Sequence, residues 1–268
     1  MIRTVLTSAL VLAGVFGPAS AETITVCAKG CDYTSINAAI AASSDGDVIQ
    51  LAAETYFEGA QIDPIDKAIT LRGVLGEDGE PASVLDGSGA HRVLHCNRNE
   101  DANTKFERLV IRNGSDDIGG GMAILGGTSP TLTNCTFTNN SASIGGGMCI
   151  ITASPTLINC TFTNNSAQLG RDMQNIAAQP NLANCTFTEC CGVSLPWSYI
   201  DLGGNNYDSW CDDCRADLDC NGGGVDASDL GYLLARWGTQ DAQSDINGDG
   251  LVDSGDLGLL IAAWGPCT

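Results

Sequence analysis

The sequence predicts a mainly β chain wound as a parallel solenoid, followed by a small α-helical unit at its C-terminal end. Three observations carry this. The middle of the chain repeats at a period of 25 residues, the repeats contain no ten-residue helical stripe, and a loop-plus-helix unit occurs twice after residue 214.

The repeat runs Pro130-Thr-Leu132-Thr-Asn134-Cys135-Thr-Phe137-Thr-Asn139-Asn140. It returns from Pro155 with Leu157, Asn159, Cys160, Phe162, Asn164 and Asn165, and from Pro180 with Leu182, Asn184, Cys185 and Phe187. A divergent copy, Phe106 to Asn113, fits one residue further back, and Gly119-Gly120-Gly121-Met122 recurs as Gly145-Gly146-Gly147-Met148 at a spacing of 26. The copies are rich in Thr, Ile, Leu, Phe and Cys and are broken by Asn, Gly and Pro, which makes each a set of short strands and turns. Leucine-rich repeats would need several leucines per unit and do not fit. A coil of this length suits three short strands and three turns of a right-handed parallel β-helix.

Successive coils then lie about 4.8 Å apart, and equivalent side chains stack in columns. Leu132, Leu157 and Leu182 form one interior column, Cys135, Cys160 and Cys185 a second, and Phe137, Phe162 and Phe187 a third. Leu132 and Cys135 differ in strand parity, so both face inward only if the chain bends between them. The bend falls on Asn134, Asn159 and Asn184, a residue type that tolerates positive φ and whose amides can bond up the stack. The thiol column reads as free buried thiols, with disulfides between coils as the alternative, because side chains in register point the same way. The Asn-Cys-Thr triplets also match glycosylation sequons, here a by-product of the repeat.

Upstream, Thr34-Ser35 caps a helix from Ile36 through Ala42 that would cover the apolar end of the first coil. Val48–Leu51 and Ala68–Leu71 read as strands. The helix, these strands, Thr55-Tyr56, Gly73 and the later Phe-x-x-Asn and Gly-Gly-Gly-Met repeats together resemble secreted pectin-lyase-like β-helix proteins. The last two motifs are similar to those of the polymorphic outer-membrane-protein class of adhesins. The resemblance covers residues 22–205 and implies the fold rather than an activity.

Met1-Ile-Arg3, the apolar run Thr4 to Phe16 and Ala19-Ser20-Ala21 have the form of a secretory signal, so residues 1–21 are expected to be removed and the mature chain to begin near Glu22. The expected location is extracellular or at the cell surface. No other stretch is apolar enough to span a bilayer.

After a linker at residues 206–213, residues 214–268 carry the duplicated unit. Asp245, Asn247, Asp249, Asp253 and Asp256 occupy positions 1, 3, 5, 9 and 12 of a twelve-residue loop, Gly250 sits at position 6, and the Leu251 carbonyl falls at position 7. This all-oxygen set suits Ca²⁺. Asp217, Asp219, Asn221, Asp226 and Asp229 form the partner loop, one residue longer through the run Gly222 to Gly224, and weaker or distorted binding is expected there. Each loop leads into an apolar helix, ending at Trp237-Gly238 and Trp264-Gly265. The pair resembles the type I dockerin module, which implies Ca²⁺ binding and a cohesin-like or cell-surface protein partner through residues 214–268. The hydroxyl pairs that such modules present at positions 10 and 11 are here Ala227-Ser228 and Ser254-Gly255, and the helices carry one basic residue, Arg236, so a cellulosome-type partner departs from the pattern.

The net charge is −20, and residues 201–268 hold 13 Asp, no Glu and 2 Arg. With no basic patch to release counterions from phosphate, nucleic acid is excluded as a partner. The 13 cysteines are compatible with export. Cys27 with Cys31, Cys211 with Cys214, and Cys220 with Cys267 are expected pairs, with zinc at Cys211 and Cys214 the lesser reading.

Three segments bear on catalysis. Thr55-Tyr56-Phe57-Glu58 resembles the first pectin methylesterase motif, and Asp116-Asp117 the paired aspartates of polygalacturonases, but the accompanying motifs are absent. Arg171-Asp172 could serve a lyase, yet it replaces two glycines of the Gly-Gly-Gly-Met turn. No catalytic residue is assigned. The function expected is a secreted, non-catalytic surface, adhesion or polysaccharide-associated protein tethered by its calcium module. A polysaccharide lyase or glycoside hydrolase is the alternative, and a carbohydrate-binding module the third reading.

Overall fold

The computed structural model describes residues 21–188, 193–194, 199–207, 216–218, 224–241, 244–247 and 249–266. Residues 1–20 of the expected signal segment, Asp219, Asn221 and cysteines 211, 214, 220 and 267 lie outside these residues.

Every pairing between its strands is parallel. One sheet stacks Thr23–Val26, Val48–Leu51, Thr70–Arg72, Lys105–Glu107, Thr131–Thr133, Thr156–Ile158, Asn181–Ala183 and Ile200–Asp201 in that order. A second stacks Thr55–Tyr56, Ser83–Asp86, Leu109–Arg112, Thr136–Thr138, Thr161–Thr163, Thr186–Phe187 and Asn206–Tyr207. The third contains Leu94–Cys96, Met122–Leu125, Met148–Ile151, Met173–Ile176 and Val193–Ser194. The last strand of the second sheet lies just past residue 205, inside the expected linker. Strands this short leave no edge within the stack, and the exposed face of each coil is covered by the next.

Register follows the repeat. Leu132 pairs with Phe106 and Leu157, and Phe137 with Ile111 and Phe162. Phe137 and Phe162 stack with ring centroids 4.7 Å apart and planes 5° apart, and Phe162 and Phe187 follow at 5.0 Å and 13°. The Leu, Cys and Phe columns are all buried. Cys135, Cys160 and Cys185 are free thiols, as the register argument favours. Burial pushes the Cys160 thiol well up, and Cys185 is pushed up by its hydrogen bond with Cys160 and then by burial.

Asn134, Asn159 and Asn184 make the corner between the first two sheets, with φ of 54°, 52° and 52°. Asn159 Nδ2 donates to Asn134 Oδ1 at 3.0 Å. A second asparagine ladder, inside the coil, closes the other edge of the second sheet. Asn140 and Asn165 are buried; Asn140 Nδ2 donates to Asn165 Oδ1 at 3.1 Å and to the Ile111 carbonyl at 3.0 Å, and Asn165 Nδ2 donates to the Phe137 carbonyl at 3.0 Å. These amides thus bond backbone groups of the coil below as well as each other.

The structure departs from three strands per coil at one place. Ser115–Ile118 and Ser141–Ile144 add a fourth, two-stranded sheet between the second and third. The glycine triplets allow the tight return into the third sheet: a Cβ on Gly147 would fall 2.5 Å from the Asp172 carbonyl oxygen.

Helix α1 (Ile36–Ala42) buries Ile36, Ala39 and Ile40 in the same apolar core. Ser35 is its N-cap, and both ends are held by charges from the following segment. Glu58 accepts from Ile36 N at 2.6 Å, Asn37 N at 3.2 Å and Ser35 Oγ at 2.7 Å. Lys67 Nζ donates to the carbonyls of Ile40, Ala41 and Ser43 at 2.5, 3.0 and 2.8 Å. A carboxylate at the first turn and an ammonium at the last complement the helix dipole.

The C-terminal region has its own apolar cluster, formed by Ala216, Leu218, Val225, Leu233, Ile246, Val252 and Leu260. Helices α2 (Ala227–Ala235) and α3 (Ser254–Ala262) pack against each other there. Their C-caps are Arg236 and Ala263; Gly238 and Gly265, expected as the caps, stand two residues further on at φ 76° and 127°. The halves exchange backbone bonds. Val225 N donates to Gly265 O and Gly238 N to Val252 O, each at 2.9 Å, so the loop of one half is tied to the helix end of the other.

Candidate functional site

In the second loop, positions 9 and 12 have two duties. Asp253 is the N-cap of α3 and Asp256 its third residue, and the two form a capping box: Gly255 N donates to Asp253 Oδ1 at 2.7 Å and Asp253 N to Asp256 Oδ2 at 2.8 Å. Asp256 is fully buried, and its other oxygen accepts from Asn247 N at 3.0 Å. Burial pushes this carboxyl up, but the backbone amides of Asp253, Asn247 and Ile246 outweigh it and hold it below the usual range. Asp245, 8 % exposed, accepts from Asp249 N at 3.1 Å and Gly250 N at 2.7 Å. Gly250 turns the chain at φ 94°, where a Cβ is unfavourable.

The first loop repeats the box, with Asp226 N donating to Asp229 Oδ2 at 2.8 Å and Ser228 N to Asp226 Oδ1 at 2.7 Å. Asp217 is buried beside the cluster. Among the described residues no group of three His, Cys, Asp or Glu side chains is arranged to hold a metal ion. The second loop nevertheless fits Ca²⁺ in its donor chemistry: its side-chain donors are hard oxygens, two of the carboxylates are buried, and the loop backbone is already drawn round them. Arg236, the one basic residue on the helices, lies 3.5 Å over the Tyr232 ring and pairs with Asp241 at 3.3 Å.

Of the acids considered for catalysis, Glu58, Asp116 and Asp172 are engaged elsewhere, while Asp117 is exposed. Glu58 caps α1, as described. Asp116 pairs with Arg92 at 3.0 Å, and Arg92 Nη2 also donates to the Ile118 carbonyl at 2.6 Å. Asp172 is buried at the turn and accepts from Asn165 Nδ2 at 2.9 Å, so it joins the inner asparagine ladder where the previous coil has Gly147.

A groove of about 470 Å³ runs beside the outer corner. Its floor is the ladder of Asn134, Asn159 and Asn184 with the hydroxyls of Thr136 and Thr161. Its wall is the loop between Leu75 and Pro81, closed by a bridge between those two residues and by Gly76 N donating to Glu80 O at 2.8 Å. That this loop overhangs later coils depends on tertiary placement.

The stacked parallel sheets, the inward columns and the polar outer corner define a β-solenoid protein. The family model described as right handed beta helix region matches residues 93–233, and the chain belongs to that family. No curated protein matches the chain. No described helix is long and apolar enough to cross a membrane.

Proposed function

We propose that this is an exported, polysaccharide-associated β-helix protein that holds its ligand without cleaving it, tethered through a C-terminal module that binds Ca²⁺. The observation that carries the reading is the commitment of Glu58, Asp116 and Asp172 to structural bonds, beside an outer corner lined with amides and hydroxyls. A general acid or base needs a carboxylate aimed at a bound substrate, whereas retention of a glycan needs only a patterned polar surface with some apolar contact.

In the module, Asp245, Asn247, Asp249, Asp253, Asp256 and the Leu251 carbonyl would hold one ion; Asp217, Asp219, Asn221, Asp226 and Asp229 would hold a second, weaker one. The ion would supply charge neutralisation for buried carboxylates, not catalysis. Residues 214–268 would then engage a cohesin-like or cell-surface protein, and α1 would close the solenoid's first coil.

The test is a panel of uronans and neutral glycans incubated with the full chain, with and without Ca²⁺, scoring both binding and product release. Binding without release is the expected result. Reproducible release that Arg171→Ala abolishes would replace this reading with a lyase.

A further inference from the structure

We infer that the groove along the outer asparagine ladder binds an extended neutral polysaccharide; this rests on the polysaccharide-associated reading and names the ligand class and its place. Three features of the groove carry the inference.

The first is the pattern of its floor. The ladder bond from Asn159 to Asn134 uses one of two Nδ2 hydrogens and one of two Oδ1 lone pairs. The amides therefore keep both donor and acceptor capacity toward solvent, and Asn159 and Asn184 are exposed. Thr136 and Thr161 add hydroxyls that both donate and accept. Such a floor suits sugar hydroxyls, which also do both. Its repeat is the coil spacing of about 4.8 Å, and two rungs approach the disaccharide repeat of an extended β-linked glycan.

The second is the wall. Leu75, 45 % exposed, and Pro81 offer apolar contact to the C–H face of a sugar ring, and the wall is set by its own backbone bonds before any ligand arrives. A pre-formed wall lowers the ordering cost of binding.

The third is charge. Among the described residues Glu80 is the only ionisable side chain lining the groove, and the chain carries −20. A uronan or a phosphorylated chain would meet Glu80 and the overall negative charge, against which stands Arg108, one rung before Asn134, whereas a neutral glycan needs no charge match.

The experiment is calorimetric titration of the full chain, in Ca²⁺, with cellohexaose, xylohexaose, chitohexaose and an oligogalacturonate. Binding of at least one neutral hexaose is expected, weakened tenfold or more by Leu75→Asp and by Thr161→Lys. Leu169→Asp, at an exposed site outside the groove, should bind as the parent does, and far-UV circular dichroism should match in all four proteins. Neutral binding indifferent to both groove variants, or binding of oligogalacturonate alone, would overturn the inference and leave the polysaccharide-associated reading standing. Absence of binding to every glycan would overturn both. Groove variants that alter self-association in sedimentation, with no effect on glycan binding, would reassign the groove to a second copy of the chain.

Discussion

At corners of the solenoid one residue type matters more than its neighbours. Arg108 occupies the place where later coils have asparagine, and its φ is 58°. A side chain without a local amide is strained there, so Arg108→Asn should raise stability by about 0.5–1 kcal/mol, read from the denaturation midpoint. Asn175 is the opposite case. It stands in the interior column after Ile124 and Ile150, is buried, and its side chain has no hydrogen-bond partner among the described residues. Asn175→Ile should stabilise by about 1–3 kcal/mol, the cost of a buried unpaired polar group; a lower midpoint would mean that the amide is satisfied. Asp86 gives a pH signature. Burial pushes its carboxyl up, but Ser88 N, the Arg112 guanidinium and the Asn113 amide outweigh this and hold it low. A depressed folded value means that the contribution is present above the unfolded value of about 3.9 and is lost as pH falls through the folded one. Asp86→Asn should therefore be less stable than the parent at pH 7, with the gap closing below about pH 4.

Among the elements, α1 depends on partners outside its own sequence. Seven residues are too few to hold a helix by propensity, and Glu58 and Lys67 satisfy the groups its ends leave open. Glu58→Ala and Lys67→Met should each cost about 1–2 kcal/mol, measured by chemical denaturation with the rest of the coil intact by circular dichroism. The helix and its Ser35 cap were legible in sequence, because both lie in one short segment. Its two charged clamps were not, since Glu58 follows Ile36 by 22 residues and Lys67 follows Ile40 by 27. The same distinction divides the two asparagine ladders. Asn134 and its successors were exposed by the parity conflict between Leu132 and Cys135. Asn140 and Asn165 follow another asparagine, and the pattern does not say which of the pair turns inward; Asn139 and Asn164 take positive φ and leave the inner place to the second. The loop from Asp245 to Asp256 was legible from oxygen spacing, but the double duty of Asp253 and Asp256 as helix caps is visible only once α3 has a start.

For the whole molecule, two regions are expected to respond differently to chelation. If Ca²⁺ holds the C-terminal loops, EDTA should unfold the region containing Trp237 and Trp264 while the solenoid keeps its β signal, because metal binding and folding are coupled only where the ligands lie. With Trp197 and Trp210 replaced by Phe, tryptophan emission follows the module and far-UV circular dichroism the solenoid; emission unchanged by EDTA at sub-micromolar free Ca²⁺ would refute metal-dependent folding. The reciprocal ties of Val225 to Gly265 and Val252 to Gly238 further predict one transition, not two, on adding Ca²⁺ back.

The phenylalanine stack has one more consequence. Because each ring rests on a near copy of itself and each strand bonds to its own likeness, a duplicated segment such as 155–179 would find a ready-made bed, and the cylinder would lengthen by one storey. Such a protein can evolve longer reach by gene duplication without inventing a new interior.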